Sequence, residues 1–214
     1  MTKCIMLDVD GVLISGRPVD GAHWTSGLEK DLGISPESLT QHFFLKYWDD
    51  IQIGRSNLRS CLAKALADMK TQVEADNLIR YWFYNDSRVD HQLFASCSTL
   101  RKHGHRVYLV SNQDHERAAY IMNELGLSQH VDGLIYSAAI GVGKPSPAFF
   151  EAAEEASGAL LSEILFIDDT AENVAAANAC GWTAHLWTGG ERLERLIQLQ
   201  AEAGPPQRRR LDKK

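Results

Sequence analysis

Two aspartates separated by one residue follow a short apolar run near the start of the chain. Asp8 and Asp10 come directly after residues 5–7, which predict a buried strand that ends at the acids. Side chains two positions apart on a strand point the same way, so both carboxylates would lie on one side. Like charges this close need a cation or a shared proton. The pair therefore predicts a reactive site at the strand end, where Gly11 lets the chain turn.

Three later stretches place further reactive side chains after or beyond predicted strands. They are Ser111 and Asn112 after residues 106–110, Lys144 beyond residues 133–136, and Asp168 and Asp169 after residues 164–167. Up to four carboxylates at one rim suit Mg²⁺, which prefers oxygen ligands and often bridges to a phosphate. An ammonium and a hydroxyl suit phosphoryl oxygens, and a carboxylate beside them can attack phosphorus. These residue types together predict phosphoryl chemistry.

The order of the predicted elements explains how these residues could meet. After residue 90, helical patterns alternate with strands at residues 106–110, 133–136, 164–167 and 183–187. Such alternation predicts an α/β fold with a Rossmann-like, doubly wound parallel sheet and helices on both faces. Ligands of these sheets bind at the carboxyl ends of the strands, which is where the reactive residues are expected.

The stretch between the first strand and residue 90 shows helical patterns only. Predicted helices cover residues 22–32, a segment that begins at Ser35-Pro36-Glu37, residues 58–69 and residues 73–84. We therefore predict an all-helical inserted domain at residues 16–95. The catalytic core would then consist of residues 1–15 and 96–203.

Composition and charge narrow the class of protein. The chain has 214 residues, of which 44% are hydrophobic, and it predicts a globular protein without a membrane segment. The net charge is −6, but residues 204–214 carry +4, so the remainder carries −10. An acidic body argues against nucleic acid as a partner, and the basic end is interpreted as a flexible tail. The cysteines lack zinc or redox spacing and no secretory signal is evident, so a cytoplasmic location is expected.

Four short motifs occur in order along the chain. They are Asp8-Val9-Asp10-Gly11-Val12, Val110-Ser111-Asn112, Gly143-Lys144-Pro145-Ser146-Pro147 and Phe166-Ile167-Asp168-Asp169. In this order they resemble the haloacid dehalogenase superfamily of aspartate-nucleophile hydrolases, and the resemblance covers all of the chain except the tail. The helical insertion resembles the small α-helical cap of the first subclass of that superfamily.

The resemblance implies roles for the motif residues. Asp8 would be the nucleophile, and Asp10 would be the general acid and base. Ser111 and Lys144 would bind the phosphoryl group, with help from Asn112. These assignments imply an aspartyl-phosphate intermediate on Asp8.

The resemblance also implies a metal site and a substrate-contacting surface. Four aspartates would bind Mg²⁺, one of them through its backbone carbonyl: Asp8, Asp10 (carbonyl), Asp168 and Asp169. In the insertion, Trp48 and Arg55 are candidates for substrate contact. Asn173 is a further candidate that would support the site.

The expected function is a Mg²⁺-dependent phosphatase that acts on a small phosphorylated metabolite, as a monomer or homodimer. A sugar phosphomutase keeps the same motifs and remains an alternative. A 2-haloacid dehalogenase of the same superfamily is a further alternative, although such members resemble this chain at Asp8 and lack the aspartate at the position of Asp10, because a halide leaves without being protonated. A non-enzymatic binding or regulatory module would be expected to lose Asp8, Asp10 or Lys144, all of which are present.

Overall fold

A five-stranded parallel sheet lies at the centre of the computed structural model, which describes residues 2–203. Its strands are β1 (Cys4–Leu7), β2 (Arg106–Ser111), β3 (Gly133–Tyr136), β4 (Ile164–Asp168) and β5 (Thr183–Leu186). Their spatial order is β3-β2-β1-β4-β5, with β1 in the middle. The chain winds outward from β1 in one direction and then, from β4, in the other. This topology confirms the predicted doubly wound, Rossmann-like fold.

Helices connect the strands and fill the long stretch after β1. They are α1 (Leu28–Leu32), α2 (Pro36–Leu39), α3 (Leu45–Gln52), α4 (Leu58–Asp68), α5 (Ala75–Asn85), α6 (His91–Lys102), α7 (His115–Ala119), α8 (Ser137–Ile140), α9 (Pro147–Ser157), α10 (Ala171–Ala179) and α11 (Leu193–Ala203). Within residues 2–203, none of these helices is long and apolar enough to cross a membrane.

Alternating side chains of the central strands build a core on each face of the sheet. On β1, Ile5 and Leu7 pack with residues of α6 and α11 on one face. Cys4 and Met6 point to the opposite face and pack with residues of α9, including Phe150. This division follows from the two-residue period of a strand. Because both faces are covered, the strands read as continuous apolar runs in the sequence.

The regular secondary structure of residues 24–85 is entirely helical, and these residues form a hydrophobic core of their own. Buried side chains from α1 to α5, among them Leu39, Phe43, Leu62 and Leu78, pack into one cluster separate from the two sheet cores. We refer to residues 24–85 as the helical segment. The division of the chain into a core and an inserted domain at residues 16–95 remains a prediction, and the predicted tail at residues 204–214 lies outside the described residues.

The first predicted helix starts later than the sequence pattern indicates. Residues 22–32 were expected to be helical, but His23 is extended, with ψ of 141°, and a 3₁₀ turn at Trp24–Gly27 precedes α1. The His23 ring accepts a hydrogen bond from the Thr25 amide and so caps the 3₁₀ turn, which places the first helical residue after His23. The Ser35-Pro36 helix start is confirmed: the Ser35 side chain caps α2, and Pro36 occupies its first turn.

The two connections between the sheet and the helical segment run side by side. An antiparallel bridge joins Ile14 to Val89, and the Ser15 amide donates a hydrogen bond to the Arg88 carbonyl at 3.0 Å. The Arg88 amide donates to the Gly16 carbonyl at 3.1 Å. We call this pair of connections the linker ribbon (residues 13–16 and 88–90). The helical segment is therefore attached through two connections that are hydrogen-bonded to each other, rather than through two separate loops.

Candidate active site

The carboxyl ends of β1 and β4 bring two buried aspartates together around one lysine. Asp8 follows β1 directly, and its amide donates to the Ile167 carbonyl at 2.9 Å, which keeps it in register with Asp168 at the end of β4. The Lys144 Nζ lies 2.9 Å from Asp8 Oδ1 and 2.6 Å from Asp168 Oδ2. It also donates to the Val110 carbonyl at 2.9 Å. One buried cation is thus shared by two buried carboxylates.

The side chain of Asn112 holds the loop that carries Lys144. Its Oδ1 accepts from the Lys144 amide at 2.7 Å, and its Nδ2 donates to the Lys144 carbonyl at 2.9 Å. The amide group of Asn112, expected to help bind a phosphoryl group, is thus engaged with the lysine backbone. The neighbouring Ser111 is buried at the end of β2 and lines the same cavity as Asp8 and Lys144.

Asp168 is fixed by hydrogen bonds from the start of α10. The Thr170 amide donates to Asp168 Oδ1 at 2.8 Å, and the Asn173 Nδ2 lies 3.1 Å from each carboxylate oxygen. Together with Lys144, these donors leave the Asp168 carboxylate little freedom to rotate. Asn173 therefore supports the site by orienting Asp168, and it lines the cavity beside it.

Three carboxylates form a cluster that fits a divalent cation. Oxygens of Asp8, Asp168 and Asp169 all lie within 4.8 Å of one another. Gly11, whose φ is +85°, makes this approach possible, because a Cβ at that position would collide with the Asp169 carboxylate. Three acids surround one lysine, so the cluster carries excess negative charge. Hard oxygen donors in this number suit Mg²⁺, which keeps several of its own waters.

The electrostatics of the site show the same shortage of positive charge. Burial raises the pKa of the Asp8 carboxyl to about 7; Lys144 opposes the rise, and Asp168 adds to it. Burial alone would lower the pKa of Lys144, but the Asp8 and Asp168 carboxylates outweigh it and the pKa is raised. The lysine is therefore charged at neutral pH. Asp8 would become fully ionised once further positive charge arrived.

Asp10 lies at the opening of the site and is held by residues that the motifs do not include. The Gln113 Nε2 donates a hydrogen bond to Asp10 Oδ2, and the Arg117 Nη2 lies 3.5 Å from Asp10 Oδ1. Although 46% of the Asp10 side-chain surface is exposed, its partial burial raises the pKa of this carboxyl, and Arg117 opposes the rise. A carboxyl with a raised pKa beside an open cavity is suited to proton transfer.

Arg117 links Asp10 to the helical segment. Its side chain is only 2% exposed, and its guanidinium donates to the carbonyls of Phe83 and Asp86 at the end of α5. It also lies 3.6 Å from the Asp86 carboxylate and 5.3 Å from the centre of the Phe83 ring. One arginine on α7 thus binds both the candidate acid and the helix above it. The sequence offered no signal for this residue, because its partners are about 30 and 100 positions away.

Two neighbouring cavities meet at Asp10 and Gly11. The first, of about 390 Å³, is polar and is lined by Asp8, Ser111, Lys144, Asp169 and the other residues described above. The second, of about 560 Å³, extends beneath the helical segment. Its lining includes four large aromatic side chains: Trp24, Phe44, Trp48 and Trp82. We call the two spaces the polar cavity and the aromatic cavity.

The structure places the two candidate substrate contacts of the helical segment differently. Trp48 lines the aromatic cavity and is partly buried. Arg55 is 71% exposed, lies 3.9 Å from Asp50, and lines neither cavity. Trp24 and Trp82 also line the aromatic cavity, although neither was among the predicted substrate contacts. Whether such a side chain lies in the core or lines the cavity depends on tertiary contacts, which helical spacing does not predict.

Fold and site together define a hydrolase with a Rossmann-like core and an aspartate-rich centre. A family model described as haloacid dehalogenase-like hydrolase matches residues 2–181. The chain belongs to this family of haloacid dehalogenase-like hydrolases, as the four motifs indicated.

Solved structures with the same fold come from several bacteria. A haloacid dehalogenase family enzyme of Bacteroides thetaiotaomicron in complex with magnesium and inorganic phosphate is 20% identical, with a TM-score of 0.77, over 92% of this chain and 100% of that one. A predicted hydrolase of the family from Porphyromonas gingivalis is 21% identical, with a TM-score of 0.75, over 93% and 98%. L-2-haloacid dehalogenase from Xanthobacter autotrophicus is 19% identical, with a TM-score of 0.60, over 94% and 83%. At these identities the likeness shows the fold.

Proposed function

We propose that the protein is a Mg²⁺-dependent phosphatase that acts on a small phosphate monoester through an aspartyl-phosphate on Asp8. The observation that carries the proposal is the presence of Asp10 beside Asp8, held by Arg117 and Gln113 at the junction of the two cavities. An alkoxide needs a proton in order to leave, whereas a halide does not. An aspartate fixed at this position therefore favours phosphate esters over haloacids.

In the proposed reaction, residues of the polar cavity act in two successive steps. Asp8 attacks phosphorus and forms an acyl phosphate, while Asp10 gives its proton to the departing alcohol oxygen. Asp10 then takes a proton from water, which attacks the acyl phosphate, releases inorganic phosphate and restores Asp8. Lys144 and Ser111 stabilise the phosphoryl oxygens in both steps.

Three carboxylates, those of Asp8, Asp168 and Asp169, would hold the magnesium ion. When bound, the ion supplies positive charge that offsets the phosphoryl oxygens and orients the substrate. A relative in the same fold was crystallised with magnesium and inorganic phosphate, which supports the choice of metal. The helical segment would act as a cap that closes over the substrate, in a cytoplasmic monomer or homodimer.

A phosphoenzyme assay tests this proposal. With Mg²⁺ and acetyl phosphate that carries radioactive phosphorus, rapid acid quenching should trap the label on the peptide that contains Asp8. Hydroxylamine should remove this label, as expected of an acyl phosphate. Chelation of the metal should abolish both labelling and phosphate release. Halide release from 2-chloropropionate without phosphate release from any ester would instead identify a dehalogenase and refute the proposal.

Replacement of Arg117 by methionine should affect poor leaving groups more than good ones. Asp10 would lose the guanidinium that holds it, so esters that need protonation should lose at least about tenfold more kcat than acetyl phosphate does. Steady-state kinetics on an alkyl phosphate and on acetyl phosphate measure the difference. The matched control is Arg59→Met, because Arg59 joins α4 to Glu116 at 2.8 Å and does not contact Asp10. An equal loss with both substrates would mean that Arg117 has only a structural role.

The affinity for Mg²⁺ should rise as pH increases through 7. The pKa of Asp8 is raised to about 7 in the metal-free protein, so below this pH the carboxyl must release a proton before it can bind the cation. We expect affinity to rise about tenfold per pH unit below 7 and to level off above it. Titration calorimetry in buffers of different protonation enthalpy measures both affinity and proton release. Asp8→Asn should remove the released proton, and a flat affinity profile in the parent protein would contradict the assignment.

A further inference from the structure

The aromatic cavity adjoins the catalytic carboxylates, and its volume is larger than a phosphoryl group alone would occupy. It shares Asp10 and Gly11 with the polar cavity, so an alcohol that leaves from phosphorus would lie inside it. Its volume of about 560 Å³ is within the range of small-molecule sites. The residues that line it should therefore select the leaving alcohol.

Four aromatic rings form a continuous wall of this cavity. Trp24 stacks on Trp82, with centroids 5.1 Å apart and planes at 17°, and both side chains are almost fully buried. Phe44 and Trp48 pack edge to face at 5.6 Å and remain partly exposed. The buried pair is accounted for by packing within the helical segment. The partly exposed pair leaves ring surface available to a ligand.

The charges around the aromatic cavity restrict the ligand further. Among the described residues that line it, none is a lysine or an arginine, whereas Asp10 and Asp86 both contribute carboxylates. A second phosphate or a carboxylate on the leaving alcohol would face these two acids, and His23 is the one basic side chain among the described lining residues that could contact it. Ring faces, in contrast, attract flat ring systems, which stack on aromatic side chains.

We propose that the substrate is a phosphate monoester whose alcohol carries a flat, uncharged ring system, which stacks against Trp48 and Phe44 in the aromatic cavity. This inference rests on the proposed phosphatase function and names the class of its substrate. It assigns Trp48 and Phe44 as specificity residues. Simple polyol phosphates, sugar phosphates and bisphosphates are accordingly poor substrates.

Matched substrates test the inference without changing the leaving group. A purine nucleoside 5′-monophosphate, flavin mononucleotide and ribose 5-phosphate all release a primary alkoxide, but only the first two carry a ring system. At least one ring-bearing substrate should exceed ribose 5-phosphate in kcat/KM by about 10-fold to 100-fold. A nucleoside 3′,5′-bisphosphate should be worse than the monophosphate by about tenfold or more. If ribose 5-phosphate comes within tenfold of both ring-bearing substrates, or the bisphosphate is as good as the monophosphate, the inference is wrong.

Substitutions in the aromatic cavity test which side chains cause the preference for ring-bearing substrates. Trp48→Ala should lower the ratio of kcat/KM between ring-bearing and ring-free substrates by about tenfold, mainly through KM, and Trp48→Phe should retain most of the ratio. The matched control is Tyr84→Ala, because Tyr84 is an exposed aromatic residue on α5 that lines neither cavity. An unchanged ratio in Trp48→Ala and in Phe44→Ala would overturn the inference.

Acetyl phosphate separates failure of this inference from failure of the proposed function. Metal-dependent turnover of acetyl phosphate without any preference for ring-bearing esters would refute only the substrate class. Absence of turnover with acetyl phosphate and with every ester would refute the phosphatase function itself.

Discussion

Asp8→Asn is expected to lower phosphatase kcat by at least about 10⁴-fold, because an amide oxygen cannot form the acyl phosphate. The side chain keeps nearly the same volume, and Lys144 keeps its ion pair with Asp168 at 2.6 Å. The fold should therefore survive, and circular dichroism together with a thermal melt would verify this. Phosphate release in single-turnover and steady-state assays measures the loss of activity.

The matched control for this variant is Asp49→Asn, since Asp49 is an exposed acid on α3 that lines neither cavity. It should retain the activity of the parent protein. A folded Asp8→Asn protein with more than about a hundredth of the parent rate would show that Asp8 is not the nucleophile. That outcome would direct attention to water activated elsewhere in the polar cavity.

Lys144→Met is expected to lower the free energy of unfolding by about 3–5 kcal/mol in the absence of metal. The lysine is almost fully buried and pairs with Asp8 and Asp168, so its removal leaves two buried carboxylates without a cation. Urea unfolding in the presence of a chelator measures the loss. The defect should shrink as pH falls toward 7, because without Lys144 the pKa of the Asp8 carboxyl lies above its parent value of about 7, so the variant neutralises this carboxyl before the parent does.

Lys46→Met provides the control for Lys144, because Lys46 pairs with Asp68 at 3.5 Å on the surface, where both side chains are about half exposed. Such a pair contributes at most about 1 kcal/mol. The double variant Lys144→Met with Asp168→Asn should recover part of the stability, since one of the unpaired charges is gone. A loss in Lys144→Met no larger than that in Lys46→Met would contradict the assigned charge balance.

The sheet and the residues at its carboxyl edge could be predicted because their signals are local. Apolar runs of four to six residues gave β1, β2 and β4, and the polar residues that follow them lie where parallel strands must end together. The site role of Lys144 could also be predicted, since its glycine and proline neighbours mark a loop. The resemblance to a family then gave each of these residues a role that spacing alone left open.

Arg117 and the aromatic cavity could not be predicted, because both depend on contacts between distant parts of the chain. Arg117 reads as an ordinary helical arginine until its side chain is found against Asp10 and the end of α5. The helical pattern of α5 likewise identifies Trp82 as apolar without showing that it lines a cavity. The π-helical turns at Thr40–Phe44 and Tyr120–Glu124 were not predicted either.

The linker ribbon limits how the helical segment can move. Two independent loops would allow rotation about any axis, but residues 13–16 and 88–90 are joined by hydrogen bonds and must move as one strip. The hydrogen bonds that tie Ser15 and Gly16 to Arg88 would break if the two connections moved independently of each other. We therefore expect a swinging motion about a single axis. Such a motion would return Trp48 to the same position relative to Asp10 at every closure. The side chain that contacts the leaving alcohol and the acid that protonates it would therefore come together in one movement.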